Sequence, residues 1–106
     1  MKILAIEKEV PGVKEEQYTP HLKPEALQAW ELYQAGKIRE LYFSQPKADR
    51  PPADKGYFAV LILECSNEKE ASEILGSLPL VKEGLIEFNI IPLLPYPGFN
   101  RLFEKE

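Results

Sequence analysis

The sequence predicts one α+β domain of six elements in the order strand, helix, strand, strand, helix, strand, with a four-stranded antiparallel sheet and both helices on one face. Three observations carry this. The apolar residues follow a strand-like period in four segments and a helix-like period in two. Glycine or proline stands at most of the places where the period changes. A length of 106 residues suits one core and is too short for two.

Residues 2–8 are rich in branched apolar side chains, with Ile3 and Ala5 on one face and Leu4 and Ile6 on the other. Pro11 and Gly12 end this first strand. From Thr19 onward Leu22, Ala26, Trp30 and Tyr33 recur at steps of three and four, which predicts a helix over about residues 20–35. Thr19 and Pro20 offer an N-cap and a first-turn proline, Pro24 is a second candidate for that first turn, and Gly36 is the expected stop. Trp30 is expected as an anchor in the core.

Residues 38–45 read as the second strand, with Leu41 and Phe43 set between polar neighbours. Pro46, Pro51 and Pro52 among charged residues exclude a central strand over 46–56, so this stretch is a long, mobile hairpin loop. Residues 57–64 are nearly all apolar and form the expected third strand, the most buried one. Asn67 with Glu70 is a variant capping box opening a short helix with Ala71, Ile74 and Leu75 inward. Gly76 and Pro79 are expected to close it. Residues 85–91 make the fourth strand, and Pro92, Pro95 and Pro97 stand against further helix or central strand. The tail 93–106 holds Leu94, Tyr96, Phe99, Leu102 and Phe103, too apolar to be left in water, so it is expected to dock on a partner subunit or at a pocket mouth.

Composition narrows the function. Thirteen Lys and Arg against seventeen Asp and Glu give a formal net charge of −4 with no basic stripe, which argues against nucleic acid. The apolar run at residues 3–6 is too short for a membrane span or a signal peptide, so a cytoplasmic location is expected. Cys65 has no second cysteine to pair with and no activating neighbours, and is expected to be a buried inert thiol. No phosphate-binding glycine loop, nucleophile elbow or metal-ligand motif is present in the sequence, so no cofactor and no metal are expected.

Two helices cover only one face of a four-stranded sheet. The other face is expected to carry several of Leu4, Ile6, Leu41, Phe43, Val60, Ile62, Phe88 and Ile90, and to need a partner. The run Glu73-Ile74-Leu75-Gly76-Ser77-Leu78-Pro79-Leu80, then Ile86-Glu87-Phe88-Asn89-Ile90-Ile91-Pro92-Leu93 and Tyr96-Pro97, resembles the C-terminal half of muconolactone isomerases. The motif-level likeness spans residues 73–97 and is structural, with Leu78 and Leu80 plugging the sheet. It implies the wider group of ferredoxin-like dimeric α+β barrels, which also holds YCII-related proteins and small monooxygenases. The partner implied is a second copy of the chain.

The resemblance implies proton transfer within a small unsaturated or lactone acid. His21, the one histidine, is a candidate base near neutral pH. Its plain alternative is a solvent-facing residue in a helix's first turn. Glu7 and Glu64 stand in apolar strands, where burial in a cavity would raise their pKa and make them proton carriers. Their alternative is a wet strand end. Arg39, with Arg101 as a second candidate, would fork onto a substrate carboxylate, or make an exposed ion pair. Tyr18, Tyr42 and Tyr57 would offer hydroxyl donors, or simply pack. Two readings follow: a cofactor-free isomerase acting on a small organic acid, or a non-catalytic homodimeric module of the same fold.

Overall fold

The structure is a computed structural model, and it describes residues 1–46, 48–49 and 56–104. Lys47 and residues 50–55, the bulk of the predicted 46–56 loop, lie outside the described residues, as do 105–106.

The elements are β1 (Lys2–Glu9), α1 (Glu15–Tyr18), a 3-10 turn (Thr19–His21), α2 (Leu22–Gln34), β2 (Ile38–Phe43), β3 (Ala59–Glu64), α3 (Glu68–Gly76), α4 (Pro79–Lys82), β4 (Ile86–Leu93) and a 3-10 helix (Pro97–Phe103). The sheet is antiparallel in the order β2-β3-β1-β4. This is the α+β fold expected from the sequence. The pairs Ala5 with Leu61, Ala5 with Ile90, and Leu41 with Leu61 fix which side chains share a face.

One face packs against the helices. Ile3, Ala5, Leu61, Leu63 and Ile38 meet Leu32 of α2 and Ala71, Ile74 and Leu75 of α3. A smaller cluster of Leu80, Leu85 and Ile86 sits with Val13 and Tyr18. Leu78 and Leu80 are buried as expected.

Local chemistry explains the boundaries. Gly36 has φ of +77°, and the N–H groups of Gly36 and Lys37 reach the carbonyls of Tyr33 and Leu32, each at 3.0 Å. That is a Schellman stop, which needs a residue at ease in the left-handed region. Asn67 accepts the Glu70 N–H at 2.8 Å, while Glu70 reaches back to the Ser66 N–H at 2.9 Å. The capping box is real, shifted one residue at its return arm.

Several expectations need correction. Leu41, Phe43, Phe88 and Ile90 share the helix-covered face, because they pair with Leu61, Ala59, Glu7 and Ala5. The open face carries Leu4, Ile6, Val60, Ile62 and Ile91. Pro79 does not merely close α3; as a first-turn proline it opens α4. Pro92 lies inside β4, which is an edge strand and tolerates a residue without an N–H. Pro97 likewise opens a 3-10 helix. Trp30 is not a core anchor: it is 55% exposed and stacks on Tyr33 with ring centroids 5.8 Å apart. The helix is turned so that Leu32, with Ala29, faces the sheet.

Candidate functional site

Between α2 and the helix-covered sheet face lies a cavity of about 580 Å3. Its volume is that of a small-molecule site. The floor is apolar, with Leu41 and Leu61 from the sheet and Leu78 and Leu80 from the α3–α4 region. The α2 wall includes Ala26 and Ala29, whose short side chains leave space between helix and sheet. Phe43, Tyr57 and Phe88 add ring faces, and Phe43 and Tyr57 lie with centroids 5.0 Å apart.

Four carboxylates line this space: Glu7 and Glu9 from β1, Glu15 from α1 and Glu25 from α2. Glu7 is buried at 8% exposure and one oxygen accepts the Ala59 N–H at 2.9 Å. The β1–β3 ladder stops at the pair Ile6 and Val60, so the Glu7 side chain takes over as the acceptor for the next N–H.

Glu25 accepts the Leu80 N–H at 2.9 Å, tying α2 to the start of α4. Its pKa is raised, chiefly by burial and further by the charge of Glu7. The Leu80 hydrogen bond and the nearby His21 oppose the rise. Tyr18 is also raised, by burial first and then by Glu7, Glu9 and Tyr57. It is therefore a neutral hydroxyl at physiological pH.

The structure brings Glu7 and Tyr18 together with Tyr57 in one cavity, and adds Glu25. Sequence reasoning missed Glu25 because its hydrogen-bond partner stands 55 residues away. The available signal was Glu25 one turn after His21 on a helix that also carries Ala26 and Ala29.

His21, Arg39, Tyr42 and Glu64 are not among the lining residues. His21 is half-buried at the end of the 3-10 turn, near enough for its charge to act on Glu25. Arg39 sits at an irregularity in the β2–β3 register, exposed. Tyr42 faces the open side of the sheet, and its hydroxyl donates to Glu40 at 2.7 Å, which raises the phenol pKa. Glu64 is also on that side. It pairs with the Met1 ammonium at 2.8 Å and Lys2 at 3.6 Å, and the hydrogen bond from the ammonium is the largest influence lowering its pKa.

Arg101 is exposed in the tail. Cys65 is buried, and burial, then Glu70, raises its thiol pKa. Among the described residues no group of three or more His, Cys, Asp and Glu side chains is placed to hold a metal ion, and no helix is long and apolar enough to cross a membrane.

The fold and cavity define a small α+β protein with a ligand-sized space between sheet and helices. No known family model matches the chain, and no curated protein does. Among solved structures it is similar to 5-chloro-2-hydroxyhydroquinone dehydrochlorinase (TftG) from Burkholderia phenoliruptrix AC1100, in complex with 2,5-dihydroxybenzoquinone. That match has a TM-score of 0.70 at 16% sequence identity and covers 92% of this chain and 98% of that one. At that identity the likeness establishes the fold alone, a small α+β domain with a four-stranded antiparallel sheet.

Proposed function

We propose that this chain acts on a small ring-sized molecule by cofactor-free proton transfer in the cavity between α2 and the sheet. The reading is carried by Glu25, a carboxyl at the cavity wall that burial and Glu7 hold protonated to higher pH than an ordinary glutamate. Such a group holds its proton to higher pH than a free glutamate, which suits it to general acid–base work. Glu7 stands in the same cavity as a second carboxylate, and Tyr18 as a neutral hydroxyl donor. The structural neighbour, named for its action on a hydroxylated chloro-ring, supports a ring-sized substrate.

An isomerase-type shift within a lactone, the reaction implied by the resemblance to muconolactone isomerases, fits this proton chemistry. The acid part of that expectation finds no cation among the described lining residues, since Arg39 lies elsewhere. We further propose that a second copy of the chain covers the open sheet face, where Leu4, Ile6, Val60, Ile62 and Ile91 leave apolar surface uncovered. That face is opposite the cavity, so association and ligand binding use different sides of the sheet.

A non-catalytic binding module is the second reading. It is favoured by one observation: Glu7 and Glu25 each hold a backbone N–H, as structural carboxylates do.

Exchange of substrate carbon-bound hydrogen for deuterium, followed by proton NMR over small lactones, unsaturated acids and hydroxylated rings, separates the two. The enzyme reading expects exchange with at least one ring compound, slowed about 100-fold or more in Glu25→Gln, in line with general acid–base contributions. Binding without exchange across the panel supports the module and overturns the enzyme.

A further inference from the structure

Two residues one turn apart on α2 meet two polar groups at the corner between α3 and α4. Glu25 accepts the Leu80 N–H at 2.9 Å, and Gln28 Nε2 donates to Ser77 Oγ at 3.0 Å. The pairing runs antiparallel, 25 with 80 and 28 with 77, so both contacts fall on one face of the helix. The corner is the Ser77-Leu78-Pro79-Leu80 run. Its two leucines line the cavity, as Glu25 does, and its polar groups are taken up by α2.

Each of those polar groups has a chemical reason to look to α2. The Leu80 N–H stands in the first turn of α4, where a donor has no partner within its own helix, and Leu78 at the N-cap has no side-chain oxygen to offer. Ser77 Oγ gives its one proton to the Ile74 carbonyl at 2.6 Å, which leaves the oxygen as an acceptor for Gln28.

A helix held by one hydrogen bond can pivot about it. A second bond three residues along, about 4.5 Å further on the axis, removes the pivot. We propose that Gln28 and Ser77 are positioning residues for Glu25, their hydrogen bond fixing α2 on the α3–α4 corner so that the carboxyl keeps its place at the cavity wall. This rests on the reading of Glu25 as the proton-transfer group.

The test is NMR of the whole chain across a pH titration. In the wild type the Leu80 amide resonance should follow the Glu25 carboxyl carbon with the same midpoint, since the hydrogen bond passes the change of charge to the N–H. The charges of Glu7 and His21 also act on Glu25, so Glu25→Gln, which should abolish the amide response, identifies its source. Gln28→Ala and Ser77→Ala should each cut the amplitude of the Leu80 response about threefold or more, because a hydrogen bond weakens steeply once its geometry is lost. Ser77→Thr keeps the hydroxyl and should restore it. Ile3→Val, a core truncation at a residue that does not line the cavity, lowers the melting temperature and should leave the response intact, so lost stability alone does not imitate the effect.

With a ring compound whose hydrogen exchanges, the two alanine variants should lower kcat about tenfold or more at nearly unchanged KM, as a displaced catalytic group does. A Leu80 response undiminished in both alanine variants, with only the melting temperature lowered, leaves the pair a structural contact and overturns the proposal. So does a Ser77→Thr chain that behaves as Ser77→Ala. Absence of exchange by the wild type defeats the proton-transfer reading instead, and the amide response still decides whether Gln28 and Ser77 hold Glu25 in place.

Discussion

Glu25 holds the Leu80 N–H in a half-buried setting, and two substitutions separate its roles. Glu25→Gln keeps an acceptor oxygen and removes the titration, whereas Glu25→Ala leaves the N–H unmet. The alanine variant should be less stable by about 1–2 kcal/mol, the cost of an unsatisfied part-buried donor, and the glutamine variant close to wild type, both read by urea unfolding. The sign of the pH dependence follows from the raised pKa. The folded chain binds that proton more tightly than the unfolded chain, so this group's stabilisation is full at low pH and is lost as pH rises through the raised value. The stability difference between wild type and Glu25→Gln should therefore move against wild type on going from pH 4 to pH 8. A difference that stays flat would show that Glu25 titrates as an ordinary surface glutamate. Glu7 was legible in the sequence as a carboxylate in an apolar strand. Glu25 was not, since Pro24-Glu25 reads as the polar start of a helix and its partner is distant in the chain.

At the scale of elements, the punctuation was legible and the rotation of α2 was not. Gly36, Asn67 and Glu70 act through bonds between near neighbours, so residue types at fixed offsets reveal them. The facing of α2 is set by what lies across from it. A period of three and four fits Trp30 and Tyr33 inward as well as Leu32, and only the packing of Ala29 and Leu32 against the sheet decides between them. Phe43 and Leu41 were misassigned for a related reason, because the irregularity at Arg39 shifts the β2 register. The tail remains apolar and uncovered by its own chain, with Leu94 89% and Phe103 82% exposed. At ~25 cal/mol per Å2 of apolar surface, docking several such side chains on the proposed second copy would contribute several kcal/mol. Truncation after Leu94 should therefore lower self-association, measured by sedimentation, by tenfold or more. An unchanged association constant would mean that the tail docks nowhere in the assembly.

For the molecule as a whole, the sheet separates two surfaces with different expected fates. The helix side encloses the cavity, and the open side presents Leu4, Ile6, Val60 and Ile62. Replacing Ile62 by Lys places a charge on the open face without touching the cavity floor formed by its neighbour Leu61. The variant should sediment as a smaller species while retaining the ligand response of the wild-type chain. The central claim is that the cavity against α2 is where small molecules bind and exchange protons. The most direct measurement is a protein-observed NMR titration of isotope-labelled chain with ring compounds that raise its melting temperature. The account predicts shifts concentrated at Tyr18, Ala26, Leu41 and Phe88 together with a change in the Glu25 carboxyl resonance. Shifts confined to the open sheet face or the tail, with Glu25 unmoved, would contradict it.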